Sequence, residues 1–154
     1  MKMYFCETQK FNQLWLWILL FFIASSPFYG VYEQSKLISE ITYKSLFDEI
    51  VFSMCMSFGL LLLVYSIRLE TNIDSEAVRI YFFPFVRKDF LFEDIKEMEV
   101  LDYGFIGGWG IRFWTKYGTV YNIKGTKGLR IVLKNGKKYL IGTQKPEQLK
   151  EALK

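Results

Sequence analysis

The chain has 154 residues, 51% of them apolar, 19% aromatic and 23% charged, with a net charge of +4. It contains no histidine and two cysteines. That removes the commonest general base and metal ligand and leaves no disulfide framework.

Two stretches, Phe11 to Tyr32 and Ile50 to Ile67, hold no Asp, Glu, Lys or Arg. Each is long enough to cross a hydrocarbon core ~30 Å thick at ~1.5 Å per residue, which predicts two transmembrane helices at about 11–32 and 47–67. They form a hairpin behind a short N-terminal tail, so that 1–67 is the membrane part and 68–154 a separate domain. Trp15 and Trp17 near one end of the first run, and Phe28, Tyr29 and Tyr32 near the other, suit the lipid–water interface. A cleaved signal peptide competes, with Leu14–Ile23 as its apolar region and Ala24-Ser25-Ser26 as its cleavage site. The weakly basic tail and the apolar character continuing to Tyr32 favour an uncleaved span. Lys and Arg number two in the tail (Lys2, Lys10), two in the connector (Lys36, Lys44) and four beyond the second run (Arg68, Arg79, Arg87, Lys88). This asymmetry predicts a multi-pass protein with both termini and the domain in the cytoplasm. Ser53 and Ser57, and Cys55 and Gly59, are pairs of small residues four apart, a spacing open either to packing within the hairpin or to a partner's helix.

After Arg68 the apolar period becomes two. Leu69, Thr71 and Ile73 alternate with Glu70 and Asn72; Val78, Ile80 and Phe82 follow the turn Asp74-Ser75-Glu76. Phe90 and Phe92, Met98 and Val100, Ile111 and Phe113, Tyr121 and Ile123, Leu129 to Leu133, and Tyr139 and Ile141 continue the pattern. Asn135-Gly136 marks a type I′ hairpin, and 146–154 reads as a helix with Pro146 in its first turn. Seven or eight antiparallel strands in a meander, closed by one helix, describe a small barrel or sandwich.

Gly108-Trp109-Gly110-Ile111-Arg112, Gly125 to Ile131, Asn135-Gly136-Lys137, Ile141-Gly142-Thr143 and Pro146 to Leu149 together resemble the bacterial membrane-anchored pleckstrin-homology-like (PH-like) proteins. The resemblance implies two transmembrane helices before a PH-type domain of two orthogonal sheets with a C-terminal helix, and a bacterial inner-membrane location. It implies no activity. Phosphoinositide-binding PH domains surround their first hairpin with Lys and Arg, whereas that turn here is acidic.

Catalytic chemistry has no foothold. The glycines at 104–110 do not follow G-x-G-x-x-G, and no Gly-Lys-Ser/Thr follows them. Their use is backbone freedom at a bend, with Trp109 either filling space between the sheets or lying on the surface and Arg112 stacking on an aromatic such as Trp114 or Trp109. Glu97 and Glu99 fall on one solvent-facing side of a strand, unlike a pair held across a cleft. No catalytic residue, metal site or cofactor is expected, and no nucleic-acid partner. Lys and Arg predominate from Arg112 onward, which suits either a solvated surface or anionic headgroups.

In a meander that starts at the membrane, alternate turns return to it. Phe83, Phe85, Phe105, Ile106 and Trp109 are then predicted at the lipid interface, with Arg87, Lys88, Lys124 and Lys127 near headgroups. The competing reading buries these aromatics in the core. The function expected is a non-catalytic scaffold or interaction domain at the cytoplasmic membrane face, its partners being membrane lipids and a membrane or cytoplasmic protein. The alternative is an accessory subunit of a membrane complex.

Overall fold

A computed structural model describes residues 4–35 and 43–153. The elements are β1 (Phe5–Lys10), α1 (Leu14–Ser35), α2 (Tyr43–Ser66), β2 (Arg68–Ile73), β3 (Ala77–Phe83), β4 (Val86–Leu91), β5 (Ile95–Asp102), β6 (Gly110–Thr115), β7 (Gly118–Asn122), β8 (Lys127–Leu133), β9 (Lys138–Gly142) and α3 (Pro146–Ala152). They divide into a β unit, Met1–Lys10 with Ile67–Lys154, and a helical unit, Phe11–Ser66.

The expected N-terminal tail is therefore a strand. Residues Phe5 to Lys10 pair antiparallel with Ile73 to Arg68, so Lys10 sits opposite Arg68. Phe5, Glu7 and Gln9 point inward and Cys6, Thr8 and Lys10 outward. Because two of the three inward residues are polar, the strand shows no apolar alternation. The interior accepts them because each is bonded: Glu7 takes hydrogen bonds from the Thr143 hydroxyl (2.6 Å) and the Gln144 N–H (2.8 Å), and Gln9 Nε2 donates to Gly142 O (2.7 Å).

Two sheets result, of order β1-β2-β3-β4 and β5-β8-β9-β7-β6. Among the described residues nine strands, in sheets of four and five not closed on each other, replace the expected barrel or sandwich of seven or eight. The uniform meander fails at β7, which runs parallel to β9 (Thr119 opposite Tyr139), so the β6–β7 hairpin joins the sheet beyond β9. Phe82 meets Tyr121 at 6.4 Å and Phe90 meets Tyr139 at 4.9 Å, fastening one sheet to the other. Leu69, Ile80, Leu129, Ile131 and Ile141 fill the space between. In α3, Pro146 opens the helix and Leu149 is buried, while the helix ends at Ala152 rather than at 154. The Asn135-Gly136 hairpin forms, but only Gly136 has positive φ (81°), and its N–H donates to Leu133 O. That is a three-residue loop ending in a glycine bulge, not a type I′ turn.

The acidic first turn has a structural task. Asp74 Oδ1 accepts the Glu76 and Ala77 N–H groups at 2.9 and 3.0 Å, and its other oxygen pairs with Arg79. Burial, with Tyr139 adding to it, pushes the Tyr121 phenol up to about 12 from an ordinary value of 10.0. Between those values the folded chain keeps a proton that the unfolded chain gives up. Stability is thus lost as pH rises from 10 towards 12, and Tyr121→Phe flattens that loss in urea midpoints measured across the alkaline range.

The helical unit also departs from expectation. Among the described residues one helix, Phe47–Ser66, is long and apolar enough to cross a membrane; the apolar part of α1, Leu14–Gly30, is shorter. Its length is about 26 Å at ~1.5 Å per residue, under the ~30 Å of a hydrocarbon core. A hairpin of two spans is not supported. Pro27 lies inside α1, where it cannot donate to Ile23 O, and the Ser26 hydroxyl takes over that carbonyl at 2.8 Å. Trp17 and Tyr65 join α1 to α2 edge to face at 6.3 Å. Of the two connector lysines counted for orientation, Lys36 lies outside the described residues and Lys44 lies in α2.

Candidate functional site

Register fixes which residues gather where the chain leaves and re-enters the β unit. Lys10 opposes Arg68, and Arg68 opposes Phe83. The β3–β4 turn, Phe83-Pro84-Phe85-Val86, thus sits at this end of the four-stranded sheet. The Phe83–Pro84 peptide is cis, and Phe85 N–H closes the turn on Phe82 O at 2.8 Å. The Arg68 guanidinium lies 4.6 Å over the Phe83 ring while its Nε meets Glu70 at 2.6 Å. Phe85 is 57% exposed, and Arg87 faces solvent opposite Tyr81. Lys88 is placed elsewhere: it shares the inward side of β4 with Phe90, its Nζ 3.2 Å from Tyr139 Oη and 4.6 Å over that ring.

The Tyr103–Gly110 loop reaches the same end through Tyr103 and Gly142. Tyr103 is buried, its N–H on Thr126 O (2.8 Å) and its hydroxyl on Gly125 O (3.1 Å). Asn122 Nδ2 lies 3.4 Å from both Tyr103 Oη and Gly108 O, bracing the loop. Burial raises the Tyr103 phenol, the Asn122 hydrogen bond lowers it and the Asp102 charge raises it further. Gly142, which accepts from Gln9, is so close to Asn122 that an added Cβ would meet Asn122 Cβ at 2.9 Å and Tyr103 Oη at 3.4 Å.

Of the aromatic loop residues, Phe105 is 77% exposed, Trp109 is partly exposed, and Ile106 packs against Tyr103, Val120 and Leu140. Lys124 and Lys127 face solvent, Lys127 opposite Asp102 in the ladder. The Gly108-to-Arg112 run has a geometric explanation. Gly108 has φ +129°, and the Arg112 guanidinium occupies the space a side chain there would fill, its Cζ 3.2 Å from the Cβ position. Arg112 therefore packs against the loop backbone at Gly108.

One cluster went unforeseen. Phe113 was expected inward beside Ile111, but the register shifts between Arg112 and Thr115 and turns both Phe113 and Trp114 to solvent. The usable sequence signal was two adjacent aromatics inside an alternating strand, which cannot both face the core. A groove of about 780 Å³ beside α3 and the start of β1 is lined by Tyr4, Cys6, Asp74, Met98 and Glu151. No group of three metal-binding side chains occurs among the described residues.

No protein-family model, curated protein or solved structure matches the chain.

Proposed function

We propose that this protein is a non-catalytic interaction module held at the cytoplasmic face of a membrane by its helical unit. The observation that carries the reading is the splice: an apolar helical unit interrupts a sheet between two strands that pair residue for residue. Phe47–Ser66 has none of its length buried, and Phe52, Phe58 and Tyr65 each present most of their side chain outward. A surface of that kind needs lipid or a partner to cover it. A signal peptide fits poorly, because cleavage near Ala24 would remove a strand from the folded sheet. Lys10 and Arg87 add positive charge near the splice, beside the Arg68–Glu70 pair, favouring an anionic cytoplasmic leaflet. Phe83, Phe85, Phe105 and Trp109 are the interfacial contacts of this reading, with Lys124 and Lys127 the headgroup contacts. The buried carboxylates Glu7 and Asp74 are occupied by structural hydrogen bonds, which leaves no acid free for catalysis there. The PH-like resemblance belongs to the proposal as well: without the β6–β7 hairpin the unit has four strands, three strands and a C-terminal helix, in that order.

A Trp109→Phe/Trp114→Phe variant leaves only Trp15 and Trp17 to report. In vesicles, brominated acyl chains will quench these two tryptophans, and neither salt nor urea will release the protein. Release by urea, with quenching absent, overturns membrane attachment. The second reading, an accessory subunit, draws on Gly59, where an added Cβ would meet nothing within 4 Å. It predicts a co-purifying membrane protein that Gly59→Leu displaces.

A further inference from the structure

We propose that the Phe113–Trp114 corner is the docking site for a short acidic protein segment bearing an apolar anchor. The proposal deepens the interaction-module reading and rests on it, but not on membrane attachment.

The corner is built, not incidental. Among the described residues β6 is an edge strand with a neighbour on one side only. Its shift in register turns out two adjacent rings, whose centroids lie 6.0 Å apart. Trp114 is 97% exposed and has φ +55°, a backbone conformation that bulky L residues rarely adopt. The turn that follows is braced: Thr115 Oγ1 donates to Gly118 O at 2.8 Å and accepts from Tyr117 N–H at 3.1 Å. A strained, fully exposed tryptophan beside a braced turn points to a contact made outside this chain.

The surroundings define that contact. A groove of about 510 Å³ runs from Phe113 and Trp114 past Thr119 to Lys137, Lys138 and Tyr139, with no acidic residue in its lining. Lys116, Lys137 and Lys138 have no ion-pair partner among the described residues; Lys116 lies 4.9 Å over the Tyr117 ring. Rings flanked by unneutralised ammonium groups fit a ligand with carboxylates around one apolar side chain. A protein segment is favoured over a lipid surface for two reasons. The free edge of β6 offers backbone groups that an extended peptide can pair with and a headgroup cannot. The corner also lies beside Tyr139, at the opposite end of β9 from Gly142, which is bonded to Gln9 next to the splice.

The test selects random phage-displayed peptides on the full chain in detergent micelles and measures binding by fluorescence anisotropy. Enriched peptides will be acidic with one aromatic or large aliphatic residue. Their affinity will fall with salt and drop at least about tenfold in Trp114→Ala. A Lys137→Glu/Lys138→Glu variant will reject them, and both variants will keep the parent's circular dichroism and melting curve. Peptides without acidic bias overturn the proposal, as does binding that survives both variants. It is also overturned if vesicles containing phosphatidylglycerol bind in a Trp114-dependent way, or if Trp114→Ala abolishes self-association. Binders that survive the variants leave the interaction-module reading standing; a chain that captures no peptide loses both.

Discussion

Residues 67–154 expressed alone will show no cooperative unfolding in water, whereas residues 1–10 joined to 68–154 through Asn-Gly will melt as one unit. The truncation removes the whole β1 ladder and the buried Phe5. Losing a buried phenylalanine costs about 3–5 kcal/mol. It also strips partners from Gly142 O, the Thr143 hydroxyl and the Gln144 N–H, at about 1–3 kcal/mol for each group left buried and unpaired. Together these approach or exceed a domain's usual margin of about 5–15 kcal/mol. The joined form should succeed because Lys10 and Arg68 are directly opposed, the spacing a two-residue hairpin turn closes. Circular dichroism melts of the two chains decide it. A cooperative transition for 67–154, close to that of the joined form, would show that β1 is dispensable.

Gly118→Ala is expected to cost about 2–6 kcal/mol, the sum of strain at positive φ and overpacking against rigid neighbours. Gly118 has φ +79°, and a Cβ there would collide with Lys138 O and lie 2.7 Å from Lys138 C. The obstacle is backbone, on the strand that pairs in parallel with β7, so it cannot swing aside. Gly136→Ala is the control: φ is +81°, but nothing lies within 4 Å of the added atom. It should lose only about 1–3 kcal/mol, from conformation alone. Urea midpoints at constant m separate the two; equal losses would mean that the close β7–β9 approach does not matter.

Much of the β unit was legible because most strands bury one apolar face: Leu69, Ile73, Ile80, Phe82, Leu129, Ile131 and Ile141 all point where the alternation puts them. The helix at Pro146 and the turn at Asn135-Gly136 were legible from local chemistry. What escaped depends on partners distant in sequence. β1 hides because Glu7 and Gln9 are satisfied by residues around Gly142, more than a hundred positions away. The parallel β7–β9 pairing has no local signature, so an all-antiparallel meander was the simpler expectation. At Phe113 a register shift overrode the period-two pattern and turned out, beside Trp114, a ring that the alternation puts in the core. The proposed interfacial set also divides: Phe85 and Phe105 are exposed and Phe83 is half-buried under Arg68, while Lys88 is spent on Tyr139, across the sheet interface.

The splice also orders events during synthesis. The first strand leaves the ribosome before any residue it pairs with, and Arg68 to Ile73 follow only after the helical unit has been made. At ~5–20 residues per second the wait is about 3–12 s. Throughout that interval the opening residues must stay unfolded, accessible and in the compartment where the rest of the sheet will appear. Early export of this segment would strand it permanently.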